Sequence, residues 1–174
     1  MADIPEGIVL ERNRDLEGPG FGIRWRRVVI GLVTLFVLLG LLNVFGQRPS
    51  TTHAATSTAS LELYAPARLR SGLLYEARFT IRAFRDLDHA RLSLSPGWSE
   101  GMQMNTIEPG PVDETSDNGR LVLSLGKIPA GHLYRLFMQF QTNPTNVGRR
   151  SATVVLLDGT TPLIAINRTV TIFP

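Results

Sequence analysis

A run of uncharged residues near the amino end constrains this chain more than any other feature. Residues 28–47 read VVIGLVTLFVLLGLLNVFGQ and contain no charged side chain over 20 positions. As an α-helix the run would extend about 30 Å, which is the thickness of the hydrocarbon core of a bilayer. It therefore predicts one transmembrane helix. A cleaved signal peptide stays an alternative, although its apolar region usually has only about 7 to 15 residues.

The distribution of arginine predicts the orientation of this span. Arg24, Arg26 and Arg27 precede it, whereas the 20 residues that follow it contain one arginine. Trp25 lies among the three arginines, where an aromatic ring suits the membrane interface. Because cytoplasmic flanks carry an excess of Lys and Arg, the amino end is predicted to be cytoplasmic and the carboxyl-terminal part extracytoplasmic. The predicted location is the cell membrane, with a single pass.

The rest of the chain divides by composition. Residues 1–27 contain Pro, Gly and mixed charge without periodicity, which predicts a short cytoplasmic tail. Residues 48–60 are rich in Ser, Thr and Ala, which predicts a flexible linker. Residues 61–174 are long enough for one domain of ordinary size.

Alternation of apolar and polar residues begins after this linker. Apolar residues occupy every second position of residues 75–83, and residues 134–140 repeat the pattern, which is typical of strands with one buried face. About eight strands are predicted, at residues 61–64, 75–83, 90–94, 102–107, 121–125, 134–140, 152–157 and 163–172. This number of short strands predicts an all-β fold, an immunoglobulin-like antiparallel β-sandwich, with a small barrel as the alternative. The apolar faces predict a core that includes Phe79, Ile81, Leu123, Leu136, Met138 and Phe140.

Composition excludes several classes of function. The chain has no cysteine, which excludes disulfides, cysteine zinc sites, iron–sulfur clusters and a cysteine nucleophile. The net charge is +3, but the 17 arginines and one lysine are scattered and form no run of five. Nucleic-acid binding needs clustered positive charge, so no nucleic-acid partner is predicted.

Three segments carry a resemblance to a known family. They are residues 45–49 (FGQRP), 96–101 (PGWSEG) and 139–150 (QFQTNPTNVGRR). With them the chain resembles a family of small, uncharacterised bacterial single-pass membrane proteins over about residues 28–174. Such proteins are often encoded beside a small multi-pass membrane protein, and the resemblance therefore implies a membrane-protein partner. It implies no catalytic residues.

Residues 97–101 match the G-x-S-x-G pattern of a serine hydrolase. Ser99 would be the nucleophile, Asp113 or Asp117 the acid, and His132 the base, in the chain order of α/β-hydrolases. That motif requires a strand-to-helix turn above a parallel sheet, and neither a following helix nor a parallel sheet is predicted here. We therefore expect a tight loop with Trp98 folded onto the sandwich, and no enzyme.

Two acidic segments contain residue types that can bind metal ions. Asp86, Asp88 and His89 could supply oxygen and nitrogen ligands, with Glu76 or Asp113 as a further ligand. Aspartates between two strands, however, usually form turns. Residues 113–124 resemble a calcium loop, yet they lack its glycine at the sixth position and its glutamate at the twelfth. No metal and no cofactor are predicted.

Together these features predict a membrane-anchored extracytoplasmic binding module, an accessory subunit for another membrane protein. The candidate binding residues are Trp98, Arg149 and Arg150. Strand counting places residues 85–89, 108–119 and 142–150 at the end nearest the bilayer, and residues 65–72, 96–101, 127–131 and the Asp158 turn at the other end. A lipid- or glycan-binding envelope module is the alternative, with a serine hydrolase as the least favoured one. The oligomeric state is not predicted.

Overall fold

The computed structural model describes residues 20–44 and 46–174. The chain divides into two compact units, Met1–Val44 and Phe45–Pro174. Most of the predicted cytoplasmic tail, residues 1–19, lies outside the described residues.

The helix of the first unit, α1 (Gly20–Leu41), begins and ends earlier than the predicted span and includes three arginines. It begins before the apolar run, so the predicted interfacial residues Arg24, Trp25, Arg26 and Arg27 are exposed on the helix itself. It ends before Asn43, whose φ of 54° is left-handed. Only residues 28–41 of the apolar run are helical, which is about 21 Å. Among the described residues we find no helix with the length and apolarity needed to cross a membrane. The predicted transmembrane helix over residues 28–47 is therefore not confirmed.

The described residues of the second unit form 13 strands, more than the eight predicted. A short 3-10 turn, Pro96–Trp98, follows the fifth strand. The strands are β1 (Pro49–Ala55), β2 (Ala59–Pro66), β3 (Arg68–Arg70), β4 (Leu74–Ala83), β5 (Leu87–Leu94), β6 (Met102–Glu108), β7 (Asp113–Asp117), β8 (Arg120–Ile128), β9 (Leu133–Thr142), β10 (Gly148–Ser151), β11 (Val154–Asp158), β12 (Thr161–Ile166) and β13 (Thr169–Phe173).

These strands form three sheets around one core. The first sheet has the order β1-β2-β4-β9-β6, the second has the order β12-β11-β5-β8-β7, and a small third sheet has the order β10-β13-β3. The pairs of the two five-stranded sheets are antiparallel, whereas β13 and β3 are parallel. The predicted all-β class and antiparallel sandwich are confirmed, and the immunoglobulin-like topology stays a prediction.

The core follows the predicted alternation. Phe79, Ile81, Leu136, Met138 and Phe140 from the first sheet are buried, and Leu123 from the second sheet is buried opposite them. The predicted core is therefore confirmed. Every buried residue of this core lies between Ala59 and Ile172, so the second unit has a hydrophobic core of its own and can fold without α1.

The predicted linker, residues 48–60, is wrong because β1 occupies most of it. β1 pairs with β2 along its full length, and Thr52 and Ala54 stand opposite Leu63 and Leu61. An edge strand is held by backbone hydrogen bonds on one side, so it does not need the large apolar residues that identify a central strand. Thr51 and Thr52 also favour extended backbone because they are β-branched.

The strand registers define two ends of the sandwich, and they correct the predicted loop positions. We call the end that contains residues 56–58, 84–86, 129–132 and 159–160 the Phe84 end, and the end that contains residues 95–101, 118–119 and 143–147 the Pro96 end. The eight predicted strands do not include β7, which lies inside the predicted loop 108–119. β7 reads DETSD and is exposed throughout, so it shows no alternation. Because β7 is an additional strand, every later loop lies at the end of the sandwich opposite to the predicted one.

Candidate functional site

Ser99 lies beside the 3-10 turn at the Pro96 end. Its hydroxyl donates a hydrogen bond to the Pro96 carbonyl, 3.2 Å away, as in an ordinary local turn. His132 lies at the Phe84 end, directly before β9. The last residue of β9, Thr142, pairs with Met102, which is three residues after Ser99. The ten residues of β9 span about 33 Å, so Ser99 and His132 are too far apart to exchange a proton. The residues named for a Ser–His–Asp site are not brought together.

Trp98 is buried and does not present its ring to a partner. Only 2% of its surface is exposed. Its ring centroid is 5.6 Å from that of Phe79 and 5.5 Å from that of Phe140, so it completes an aromatic cluster in the core. The expectation that Trp98 folds onto the sandwich is confirmed, and its proposed binding role is wrong because burial removes it from the surface.

Arg149 and Arg150 do not form a joint binding pair. They are neighbours on β10, so their side chains leave opposite faces of the strand. The Nε atom of Arg150 donates to the Asn146 side chain at 3.1 Å, and Asn146 in turn donates to the Gly101 carbonyl at 3.0 Å. Arg150 therefore holds the 96–101 and 143–147 loops together at the Pro96 end, while Arg149 alone is exposed.

The acidic residues at the Phe84 end are organised by one lysine. The Lys127 ammonium lies 2.7 Å from Asp88 and 3.6 Å from Asp86. The hydrogen bond and charge of Lys127 lower the pKa of Asp88. The hydrogen bond and charge of Asp88, together with the charge of Asp86, raise the pKa of Lys127. Within the described ranges, no three His, Asp or Glu side chains converge in a way that could hold a metal ion.

The outer face of the first sheet carries the most distinctive surface of this unit. In register across five strands lie Thr51, Tyr64, Arg78, Phe137 and Glu108, one residue from each strand. We call Tyr64, Arg78 and Phe137 the central row. Each alternates with core residues on its own strand, so each must point away from the core.

Arg78 is held between two aromatic rings. The guanidinium carbon lies 5.3 Å from the centroid of the Tyr64 ring and 5.1 Å from that of Phe137, which is within the range of cation–π contacts. Its Nη2 atom donates to Glu76 at 3.1 Å, and its buried Nε atom has no hydrogen-bond partner among the described residues. The planar group is thus fixed in orientation before any partner arrives, while 43% of the side chain stays exposed.

A shallow cleft borders the central row toward the Pro96 end. It has a volume of about 250 Å³ and is lined by Gln47, Pro49, Tyr64, Pro66, Tyr75, Glu76 and Arg78. Gln139, the pairing partner of Glu76, is exposed on the same side of the row as the cleft, and Arg135 is exposed on the other side. The face therefore combines a preformed centre with a polar border, which is the usual anatomy of a protein-binding surface.

One member of the central row, Phe137, can be recognised from the sequence pattern of β9. Phe137 lies between Leu136 and Met138, so the period of two that buries its neighbours places Phe137 on the outer face. A large aromatic residue at such a position is unusual for a solvated face. What the sequence could not show is that Tyr64 and Arg78 stand beside it, because that depends on the register of three strands.

Comparisons with known proteins add little to this picture. No family model and no curated protein sequence matches the chain. The chitin-binding domain of a chitinase from Pyrococcus furiosus has 7% identity and a TM-score of 0.36, over 68% of this chain and 98% of that one. AvmM, which catalyses macrocyclization in alchivemycin A biosynthesis, has 7% identity and a TM-score of 0.42, over 74% and 90%.

A GH20 exo-β-N-acetylglucosaminidase from Vibrio harveyi has 13% identity and a TM-score of 0.32. The match covers 73% of this chain but only 18% of the enzyme. At such low identities and TM-scores, these likenesses carry no conclusion about function.

Proposed function

We propose that the second unit, Phe45–Pro174, is a protein-binding module whose contact surface is the outer face of the first sheet. The observation that carries this proposal is the central row, in which Arg78 is clamped between Tyr64 and Phe137. Tyr, Phe and Arg are enriched in the centres of protein interfaces. Tyr and Arg are also prominent among the residues that contribute most to affinity.

Preorganisation of the row supports the same function. An isolated surface arginine loses rotamer freedom when it is bound, which costs about 0.5 to 1.5 kcal/mol. Arg78 has already lost much of this freedom because two rings and Glu76 restrain it. A solvent-facing side chain that is restrained in this way loses less conformational entropy when a partner binds it.

Binding of glycans is the competing function for the same face, since sugars commonly stack on aromatic rings. Tyr64 and Phe137 each turn one ring face toward the Arg78 guanidinium, so those two ring faces are already occupied. This arrangement favours a protein partner. We expect the unit not to sediment with chitin, cellulose or peptidoglycan, and sedimentation that is lost in Phe137→Ala would establish the glycan function instead.

The partner can be identified by photo-crosslinking in the cells that make this protein. A crosslinking amino acid at Gln139, beside the central row, should capture a defined protein, whereas the same amino acid at Ala165 on the second sheet should not. Capture from Ala165 but not from Gln139 would mean that the contact surface lies on the second sheet, which would contradict the proposal.

The captured partner then allows the row to be tested directly. Arg78→Ala and Phe137→Ala should each weaken binding by about 30-fold, which corresponds to the roughly 2 kcal/mol of an interface hot spot. The affinity of Arg78→Lys for the partner should lie between that of the alanine variants and that of the wild type, because lysine keeps the charge but not the planar group. Arg91→Ala on the second sheet is the matched control. Equal affinity of the wild type and both alanine variants would contradict the proposal.

We also propose, from the sequence, that the unit works outside the cytoplasm. Arg24, Arg26 and Arg27 precede the apolar residues 28–47, and an apolar run after basic residues is what an export signal requires. The partner would then be a protein of the cell envelope, such as another membrane protein. A reporter that fluoresces only in the cytoplasm should be dark when it is fused after Pro174. Fluorescence there would contradict this location.

A further inference from the structure

The Phe84 end of the sandwich carries a patch that the central row does not include. Its members are exposed and lie at the carboxyl end of β4, in the following turn and at the start of β9: Arg82, Phe84, Arg85, Leu133 and Arg135. We call them the Phe84 patch. Phe84 is 48% exposed and Leu133 is 43% exposed.

Strand register brings these residues together. Arg82 is the pairing partner of Leu133, and Thr80 is the partner of Arg135, so the two arginines are diagonal neighbours on one face. The turn after β4 is anchored because the amides of Phe84 and Arg85 both donate to the Thr58 carbonyl, at 2.8 and 3.1 Å. Phe84 and Arg85 therefore project from the end of the sandwich on a fixed backbone.

The arginines of the patch form no ion pairs. Among the described residues, no carboxylate forms an ion pair with Arg82, Arg85 or Arg135. Asp86 and Asp88 already share Lys127. Glu62 is diagonal to Arg82 across the β2–β4 pair but forms no ion pair with it. Three unpaired arginines thus surround two exposed apolar side chains.

We propose that the Phe84 patch docks the unit onto an anionic lipid surface. Such a surface offers phosphate oxygens to the arginines and, about 5 to 10 Å deeper, the acyl boundary to the apolar side chains. The complementary charge selects anionic lipid, and the projecting position of Phe84 suits insertion into a planar surface. This inference does not depend on the central row or on its partner.

Vesicle binding by residues 45–174 tests the inference. The unit should sediment with phosphatidylcholine vesicles that contain about one third phosphatidylglycerol and should not sediment with pure phosphatidylcholine. The triple variant Arg82→Gln, Arg85→Gln, Arg135→Gln should bind about a hundredfold more weakly, since each arginine near such a surface contributes about fivefold. The control triple Arg70→Gln, Arg91→Gln, Arg149→Gln removes the same charge elsewhere and should bind like the parent.

The apolar residues separate a membrane surface from a soluble polyanion. Phe84→Ser with Leu133→Ser should weaken vesicle binding by about tenfold and make the remaining binding more sensitive to salt. Unchanged binding in this double variant would mean that the patch recognises only negative charge, which would overturn the lipid assignment. Equal losses in the two arginine triples would also overturn it, because net charge alone would then explain binding. All these positions are exposed, and unchanged melting temperatures should verify that the variants fold.

Discussion

Gly97 lies so close to the carbonyl oxygen of Ser151 that a Cβ atom at position 97 would overlap it. The obstructing atom belongs to the backbone of β10, which cannot rotate away as a flexible side chain would. The first glycine of the G-x-S-x-G match is therefore required for packing between the 3-10 turn and β10.

Gly97→Ala is expected to destabilise the unit by about 3 kcal/mol, because the turn or β10 must move to relieve the overlap. Urea unfolding of residues 45–174 would measure this change. Gly110→Ala is the control, since no atom lies near the added methyl group and its φ is not left-handed. A loss of similar size in Gly110→Ala would mean that the Gly97 contact is not the cause.

Two phenylalanines on opposite faces of β9 should differ in how much they stabilise the fold. Phe140 is 1% exposed in the core, and its removal should cost about 3 to 5 kcal/mol of unfolding free energy. Phe137 is 37% exposed on the outer face, and Phe137→Ala should cost about 1 kcal/mol or less. The same variant should nevertheless weaken binding of the partner. If Phe137→Ala unfolds the unit as readily as Phe140→Ala, the central row is a structural element and not a contact surface.

Tyr75 should make the unit less stable in alkali. Burial raises the pKa of its hydroxyl, an effect that the charge of Arg168 opposes, and the hydroxyl donates to the Met102 sulfur at 2.8 Å. Because the folded state keeps this proton while the unfolded state loses it near pH 10, the contribution is complete below about pH 10 and decreases as the pH rises further.

Tyr75→Phe should flatten that alkaline decrease, which thermal unfolding between about pH 8 and 11 would record. Burial also raises the pKa of Tyr134, but Tyr134 is only half-buried, so Tyr134→Phe should flatten the alkaline decrease less than Tyr75→Phe. An identical alkaline decrease in Tyr75→Phe and the wild type would contradict the assignment.

Lys127 should control the titration of Asp88. The hydrogen bond and charge of Lys127 lower the pKa of the Asp88 carboxyl, so Lys127→Gln should raise that pKa toward its ordinary value of about 3.9. The pair stabilises the fold above that ordinary pKa, and its contribution disappears as the pH falls through the lowered one. Carboxyl NMR titration would measure the shift. Lys127→Arg should keep most of it, and an unchanged pKa in Lys127→Gln would contradict the role of the pair. Both side chains are exposed, so the melting temperature should scarcely change.

Much of the core could be predicted because burial along a strand is a local property. Tyr75, Phe79 and Ile81 are buried for the same reason that their polar neighbours lie on the outer face: successive residues point to opposite faces. The all-β class followed from this period. Strands without large apolar residues escaped prediction, and β1 and β7 are both at sheet edges, where backbone pairing replaces side-chain burial.

The binding surfaces could not be predicted in the same way. The sequence alone shows which faces of β4 and β9 are apolar, that cysteine chemistry is absent, and that residues 97–101 match the G-x-S-x-G pattern. Only the folded structure shows that Trp98 is buried, that Arg150 binds Asn146, and that Arg78 stands between Tyr64 and Phe137. These contacts join residues far apart in the chain, and they depend on strand order and register. Hydrophobic alternation and turn geometry set the register of a strand pair. Which non-consecutive strands become neighbours depends on the packing of the whole core.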